Sequence, residues 1–297
     1  MLRRMRRRDV LRAARAALGA AAIASPALAQ FGCAMPSFDR TPDKPQSFGY
    51  KVLWFAVRAS DPASVLDALE FGPGTQANWA SGLSAAYDYG TEWAFVSPPV
   101  DGWVLVVGGS LPQPFALNPP LFKGQHEIGR RFDVLLSRLM KKFDDVQYFG
   151  THRVVSLGAW ARALNGKPVR IFAFACGGTA ECQVYANVGD QTSGEAQLKF
   201  ANLTGLSPSD ARDRILKISQ EEDAEEMALV ARGLSPPEAR ARVRKNSRAY
   251  PDEQEVFDLA ALWSIDPTKL SVQDHPPGLG LATPLPKNMS QRVEIDR

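Results

Sequence analysis

The chain has 297 residues, 45% of them hydrophobic and 23% charged, which suits one sizeable core with room for a small second module. The first 29 residues hold seven arginines (Arg3, Arg4, Arg6, Arg7, Arg8, Arg12 and Arg15) against Asp9; they contribute +6 to the formal net charge of +3, which leaves −3 for the rest. A slightly acidic body argues against nucleic acid or an anionic membrane surface as the partner.

In chain order the leader comes first. The arginine cluster precedes a weakly apolar stretch, AALGAAAIA at 16–24, and then the small-residue site Ala27-Leu28-Ala29 before Gln30. This is the order of a secretory signal peptide spanning 1–29, with a basic amphipathic helix as the alternative. The stretch is too short and too rich in alanine to span a bilayer. Arg7-Arg8-Asp9-Val10-Leu11 is similar to a twin-arginine export signal, but Val10 stands where phenylalanine is favoured, so the general secretory route stays open. Either route predicts a periplasmic or secreted protein. Cys33 lacks the leucine three residues before it that a lipoprotein signal shows, so no stable membrane anchor is expected. Residues 30–47, with Pro36, Pro42 and Pro45, read as a flexible tether.

The core domain is expected over 48–204 plus 250–270. YKVLWFAVR at 50–58 is apolar on both faces and belongs in the middle of a covered sheet. Asp61 and Pro62 then start a helix with the stripe Val65, Leu66, Ala68 and Leu69, ended by Gly72. Residues 72–90 read as a long connection whose aromatics Trp79, Tyr87 and Tyr89 form a candidate binding surface. Two alternating runs around SPPVDG, Trp93 to Val96 and Trp103 to Val107, predict a hairpin. The glycines at 108–109 lack the pattern and following helix of a phosphate cradle.

Ile128, Phe132, Leu135, Leu136, Leu139, Met140 and Phe143 mark an amphipathic helix over about 125–143. Strand-like runs follow at 146–149, 153–164, 168–176 and 182–187, and Asn165-Gly166 is a strong hairpin signal. Cys176 and Cys182 flank GGTAE and can face each other across a hairpin as a disulfide. Two buried free thiols or a metal site are the alternatives, but neither C-x-x-C nor H-E-x-x-H occurs, and no metal is assigned. The predicted class is α+β: a largely antiparallel sheet with helices packed on its faces.

Residues 205–248 are charged and helix-forming. GLSPSDAR at 205–212 recurs as GLSPPEAR at 233–240, and each copy offers a capping serine, a proline at the first helical position and an acid three residues on. These starts predict a peripheral helical hairpin, an insertion whose acidic run at 221–226 faces basic residues from Arg240 to Arg248. An amphipathic helix at 250–270 rejoins the core, and 271–297 reads as an extended tail.

The runs FVSPPVDGWVLVVG (95–108), YFGTHRVVSLGAWARALNGKPVRIFAF (148–174) and PDEQEVFDLAALWSIDPTKL (251–270) resemble a family of uncharacterised bacterial proteins. The likeness covers about half the chain and rests on hairpin and core residues, so it implies a shared fold and no chemistry.

Of the three histidines, His275 sits in a Pro/Gly-rich tail and His126 near a helix start. His152, set among strands, is a candidate general base with Asp144, Asp145 or Glu195. No serine elbow, P-loop or dinucleotide fingerprint occurs, and no cofactor is assigned. The favoured expectation is an exported binding or interaction protein of the cell envelope, with a protein partner there and with the aromatic loop at 76–90 and the charged 205–248 hairpin as candidate surfaces. The alternative is a periplasmic hydrolase using His152 with a carboxylate.

Overall fold

A computed structural model describes residues 36–88, 92–115, 124–176, 182–244 and 249–291. Along β1 (Leu53–Arg58), Trp54 and Ala56 face one way and Leu53, Phe55 and Val57 the other, and all five are buried. A strand with so little solvent face has to lie inside a sheet covered on both sides. β1 does so, pairing antiparallel with β4 (Trp103–Gly108) and β5 (Asp145–His152).

The sheet also holds β2 (Thr75–Ala77), β3 (Trp93–Val96), β6 (Leu157–Leu164), β7 (Lys167–Ala175), β8 (Gln183–Gly189) and β9 (Gly280–Pro284). Its order is β2-β9-β3-β4-β1-β5-β6-β7-β8, with antiparallel pairing throughout. With helices packed on its faces, this is the expected α+β class. The β3–β4 and β6–β7 hairpins turn on Asp101-Gly102 and Asn165-Gly166, four residues with positive φ (48°, 80°, 50° and 76°). Two consecutive left-handed residues make the tight turn whose twist matches the strands, and Asn, Asp and Gly adopt it most readily.

One face of the sheet is covered by α1 (Pro62–Leu69) and α3 (Gln125–Met140). Phe132 of α3 sits between Phe55 and Tyr148, with ring centroids 6.2 and 5.0 Å away. The other face is covered by α2 (Trp79–Tyr87), α4 (Ser193–Gln197), the first half of α5 (Pro208–Ala231) and α7 (Glu253–Trp263). There Trp54 stacks on Phe149 with centroids 5.2 Å apart.

Four expectations are corrected. Residues 72–90 do not form a long loop over their described part: they hold β2 and α2, which starts at Asn78 where the side chain accepts from Ser81 N–H. Helix α1 ends at Leu69, ahead of Gly72, because Glu70 turns left-handed at φ 57°. Residues 36–47 are not a free tether, since the Asp43 carboxylate accepts from Trp79 N–H (2.6 Å) and Ala80 N–H (3.0 Å) and Phe38 packs on Trp93. The supposed tail supplies β9, inserted between β2 and β3.

The helical insertion is peripheral only in part. Ser207 caps α5, and Ser235 with Glu238 forms the capping box of α6 (Pro236–Val243). Ala211, Ile215 and Ile218 of α5 belong to the main core, whereas Leu229 forms a small separate cluster with Ala239 and Val243. Arg240 pairs with Glu226 at 3.1 Å across the two helices.

Candidate functional site

A cavity lies at one end of the sheet, where residues of β1, β5, β6, β7 and β8 meet the segments that follow β4 and β9. Gly150, Ala159, Ala173 and Ala186 stand side by side in register across β5, β6, β7 and β8, beside Leu53 of β1. These short side chains lie on the α3 face but are not part of the cavity lining. A Cβ on Gly150 would lie 2.7 Å from Leu53 Cδ2, so a larger residue there would require the Leu53 side chain to shift. The cavity measures about 370 Å³, within the range of small-molecule sites.

Alternation along β5 puts His152 on the same face as Tyr148 and Gly150, at the rim of this cavity. Tyr185 arrives by a different device. Phe174 pairs with Val184 and Ala173 with Ala186, so Tyr185 is the extra residue of a β-bulge. The bulge turns its ring onto the α3 face, where it meets Phe115 edge-on at 4.9 Å. Lys51, left-handed at φ 54°, lines the cavity just ahead of β1. Val52, Leu53, Leu157 and Ala175 give the cavity its apolar lining.

The remaining wall is held by a relay of amides. Gln291 donates through its backbone N–H to Ser110 O and through Nε2 to Gly109 O, both at 2.8 Å. Its Oε1 therefore faces Gln113 and accepts from Gln113 Nε2 at 2.8 Å. The wall also leans on α3, where a Cβ at Gly129 would sit 2.2 Å from Phe115 O.

Two polar atoms of the lining residues are buried with no hydrogen-bond partner: His152 Nδ1 and Gln113 Oε1. Each such atom costs about 1–3 kcal/mol. The Tyr148 hydroxyl, 3.4 Å from where a Cβ on Gly150 would stand, is buried and unpartnered as well, and burial holds its pKa well above the phenol value. Burial also raises the Tyr185 pKa, which keeps that hydroxyl a neutral donor at ordinary pH. Among the described residues no Asp or Glu lines the cavity.

The structure does not bring His152 to any carboxylate suggested for it. Asp145 begins β5 and His152 ends it, roughly 23 Å apart at about 3.3 Å per residue, and Asp144 lies at the same far end. Glu195 is engaged on the opposite face: its Oε1 accepts from Arg170 Nε (2.8 Å) and Trp160 Nε1 (2.9 Å), and its Oε2 accepts from Thr192. Thr151 lines the cavity, but its hydroxyl already donates to Gly49 O at 2.6 Å. A nucleophile, base and acid arrangement is therefore not assembled here.

The aromatic binding surface is not assembled either. Trp79 is 0% exposed and packs edge-on against Phe95, because α2 folds inward onto β3. The Tyr87 hydroxyl, half-buried, accepts from Gly49 N–H at 3.0 Å, and Tyr89 lies outside the described residues. Cys176 and Cys182 are at disulfide distance, joining the ends of β7 and β8. Among the described residues no group of three or more His, Cys, Asp and Glu could hold a metal ion. Nor, among the described residues, is any helix long and apolar enough to cross a membrane. Compared with protein-family models, curated proteins and solved structures, the chain finds no match.

Sequence reasoning reached His152 but missed Lys51, Gln113, Tyr185 and Gln291. Tyr185 carries no local signal, since a bulge is a property of the pairing with β7. Gln113 and Gln291 meet only once β9 is in place.

Proposed function

We propose that this is an exported protein of the bacterial cell envelope that acts by binding, and that the cavity beside His152 holds a small molecule. The observation that carries the reading is the cavity itself, an apolar floor with His152, Gln113 and Tyr185 around it and two buried polar atoms left unpartnered. Export rests on the leader, which lies outside the described residues, and fits a Cys176–Cys182 bridge formed in an oxidising compartment. The periplasm or the medium is the location this implies. The resemblance to uncharacterised bacterial proteins belongs to the same reading and adds no chemistry to it.

Filling the cavity tests the binding reading. Purified protein incubated with a small-molecule extract of the envelope, separated from free solutes and then denatured is expected to release a compound identifiable by mass spectrometry. Leu157→Trp should release little or none, and Ala175→Phe serves if the first variant folds poorly. Equal release from wild type and both folded variants, or none from any, would defeat the reading.

Export has its own test. Arg7→Lys with Arg8→Lys keeps charge and hydropathy, so a twin-arginine route predicts precursor retained in the cytoplasm. Unchanged processing on a gel would assign the general secretory route instead.

A further inference from the structure

We infer that the cavity ligand is a hydroxycarboxylate, a small organic acid with a hydroxyl near its carboxylate and an apolar body; this rests on the binding reading above. The charge argument comes first. Among the described residues, the ionisable groups lining the cavity are Lys51, His152 and Tyr185, two of them nitrogen bases and the third a neutral donor. The nearby acid Glu92 accepts from Ser290 Oγ at 3.0 Å and does not line the cavity. A carboxylate is welcome among such groups, whereas a buried ligand ammonium would need a counter-charge that the described lining residues do not offer.

The hydroxyl follows from the amide relay. Gly109 O can only accept, so it fixes Nε2 of Gln291 toward itself, and that fixes Oε1 of Gln291 toward Nε2 of Gln113. The atom of Gln113 left over is therefore Oε1, an acceptor, and it is buried without a partner. It calls for a donor, and a carboxylate has none. A hydroxyl beside the carboxylate supplies one and remains uncharged. His152 Nδ1, also without a partner, takes the carboxylate when it carries its proton. Both atoms are buried, so binding includes a shift of each side chain, which for Gln113 keeps Nε2 on Gln291 Oε1. The apolar body lies against Leu53, Phe115 and Leu157. At about 30 Å³ per water the cavity equals roughly a dozen waters, which suits a ligand of about a dozen non-hydrogen atoms.

Three probes of one shape separate these contributions: 3-phenyllactate, 3-phenylpropanoate without the hydroxyl, and 3-phenylpropane-1,2-diol without the carboxylate. Titration calorimetry with the purified protein at neutral pH is expected to show phenyllactate bound about tenfold more tightly than either of the others. Gln113→Leu should weaken phenyllactate alone and erase its advantage over phenylpropanoate. His152→Ala should weaken both acids by about the same factor, tenfold, and leave the diol unchanged. Thermal unfolding close to wild type confirms that each variant is folded.

Equal affinity for phenyllactate and phenylpropanoate would overturn the role of Gln113, and equal affinity for phenyllactate and the diol would overturn the acid class. If no probe binds while wild type still releases a compound that Leu157→Trp does not, the hydroxycarboxylate assignment fails and the binding reading stands. If that release is also missing, both fail.

Discussion

Glu195→Ala is expected to destabilise the protein by about 3–5 kcal/mol, among the largest effects of any single substitution in this fold. Arg170 and Glu195 are 2% and 1% exposed, and the guanidinium donates to Glu195 Oε1 and Asn187 Oδ1. Removing the carboxylate leaves a buried positive charge without its counter-ion and strips Trp160 Nε1 of its acceptor. The same change breaks the capping box with Thr192 that starts α4. Urea unfolding should show the loss, and the midpoint of thermal unfolding should fall by roughly 6–20 °C for a chain of this size. Arg170→Met combined with Glu195→Leu should recover much of the stability, because replacing both charges removes their desolvation cost together. A cost below about 1 kcal/mol for Glu195→Ala would mean that water reaches the guanidinium and that the pair is not sealed.

Deleting 206–248 and closing the gap with a short Gly/Ser linker is expected to abolish cooperative unfolding. Closing the loop is not the obstacle, since that cost depends only weakly on length. The obstacle is the lost cover: Ala211, Ile215 and Ile218 pack in the same cluster as Phe172, Val184, Phe200 and Leu203, which the deletion would leave open to water. Asn187 also spans to Leu203 O and Leu206 O, tying β8 to the start of α5. Leu229→Ala, in the small distal cluster, should by contrast move the main transition by no more than about 1 kcal/mol, because the hairpin tip can open on its own. A sharp transition surviving the deletion would show the whole hairpin to be dispensable.

That contrast shows where sequence reading works in this chain. The capping serines Ser207 and Ser235, the turns at Asp101-Gly102 and Asn165-Gly166, and the two-faced β1 were all legible, because each is decided within a few residues by backbone chemistry or hydrophobic period. Helix α5 misled because its composition is charged, while only one face of its first half carries the apolar residues that touch the sheet. Helix α2 was hidden by its small residues: Gly82 lets Phe95 approach so closely that a Cβ there would stand 2.2 Å from the ring, and glycine ordinarily reads as loop. Strand β9 lies among glycines and prolines, and its pairing partners are distant in sequence. Of the candidate site, His152 was visible as a histidine among strands, but its neighbours depend on a bulge and on that distant strand. Its suggested carboxylates were chosen without the strand direction that separates them.

The place of β9 bears on how the molecule is made. Val96 pairs with Leu281, which leaves the ribosome 185 residues later, and at about 5–20 residues per second that is a wait of roughly ten to forty seconds. Until then β3 has no neighbour on its outer side, and β2 and the Gln113–Gln291 relay have no partner. The nascent sheet thus presents an open, apolar strand edge for most of its synthesis, a surface prone to pairing with other chains. Completion of the fold, and of the cavity wall with it, waits on β9 and Gln291, so premature termination before Gly280 should yield an aggregating product with no assembled site.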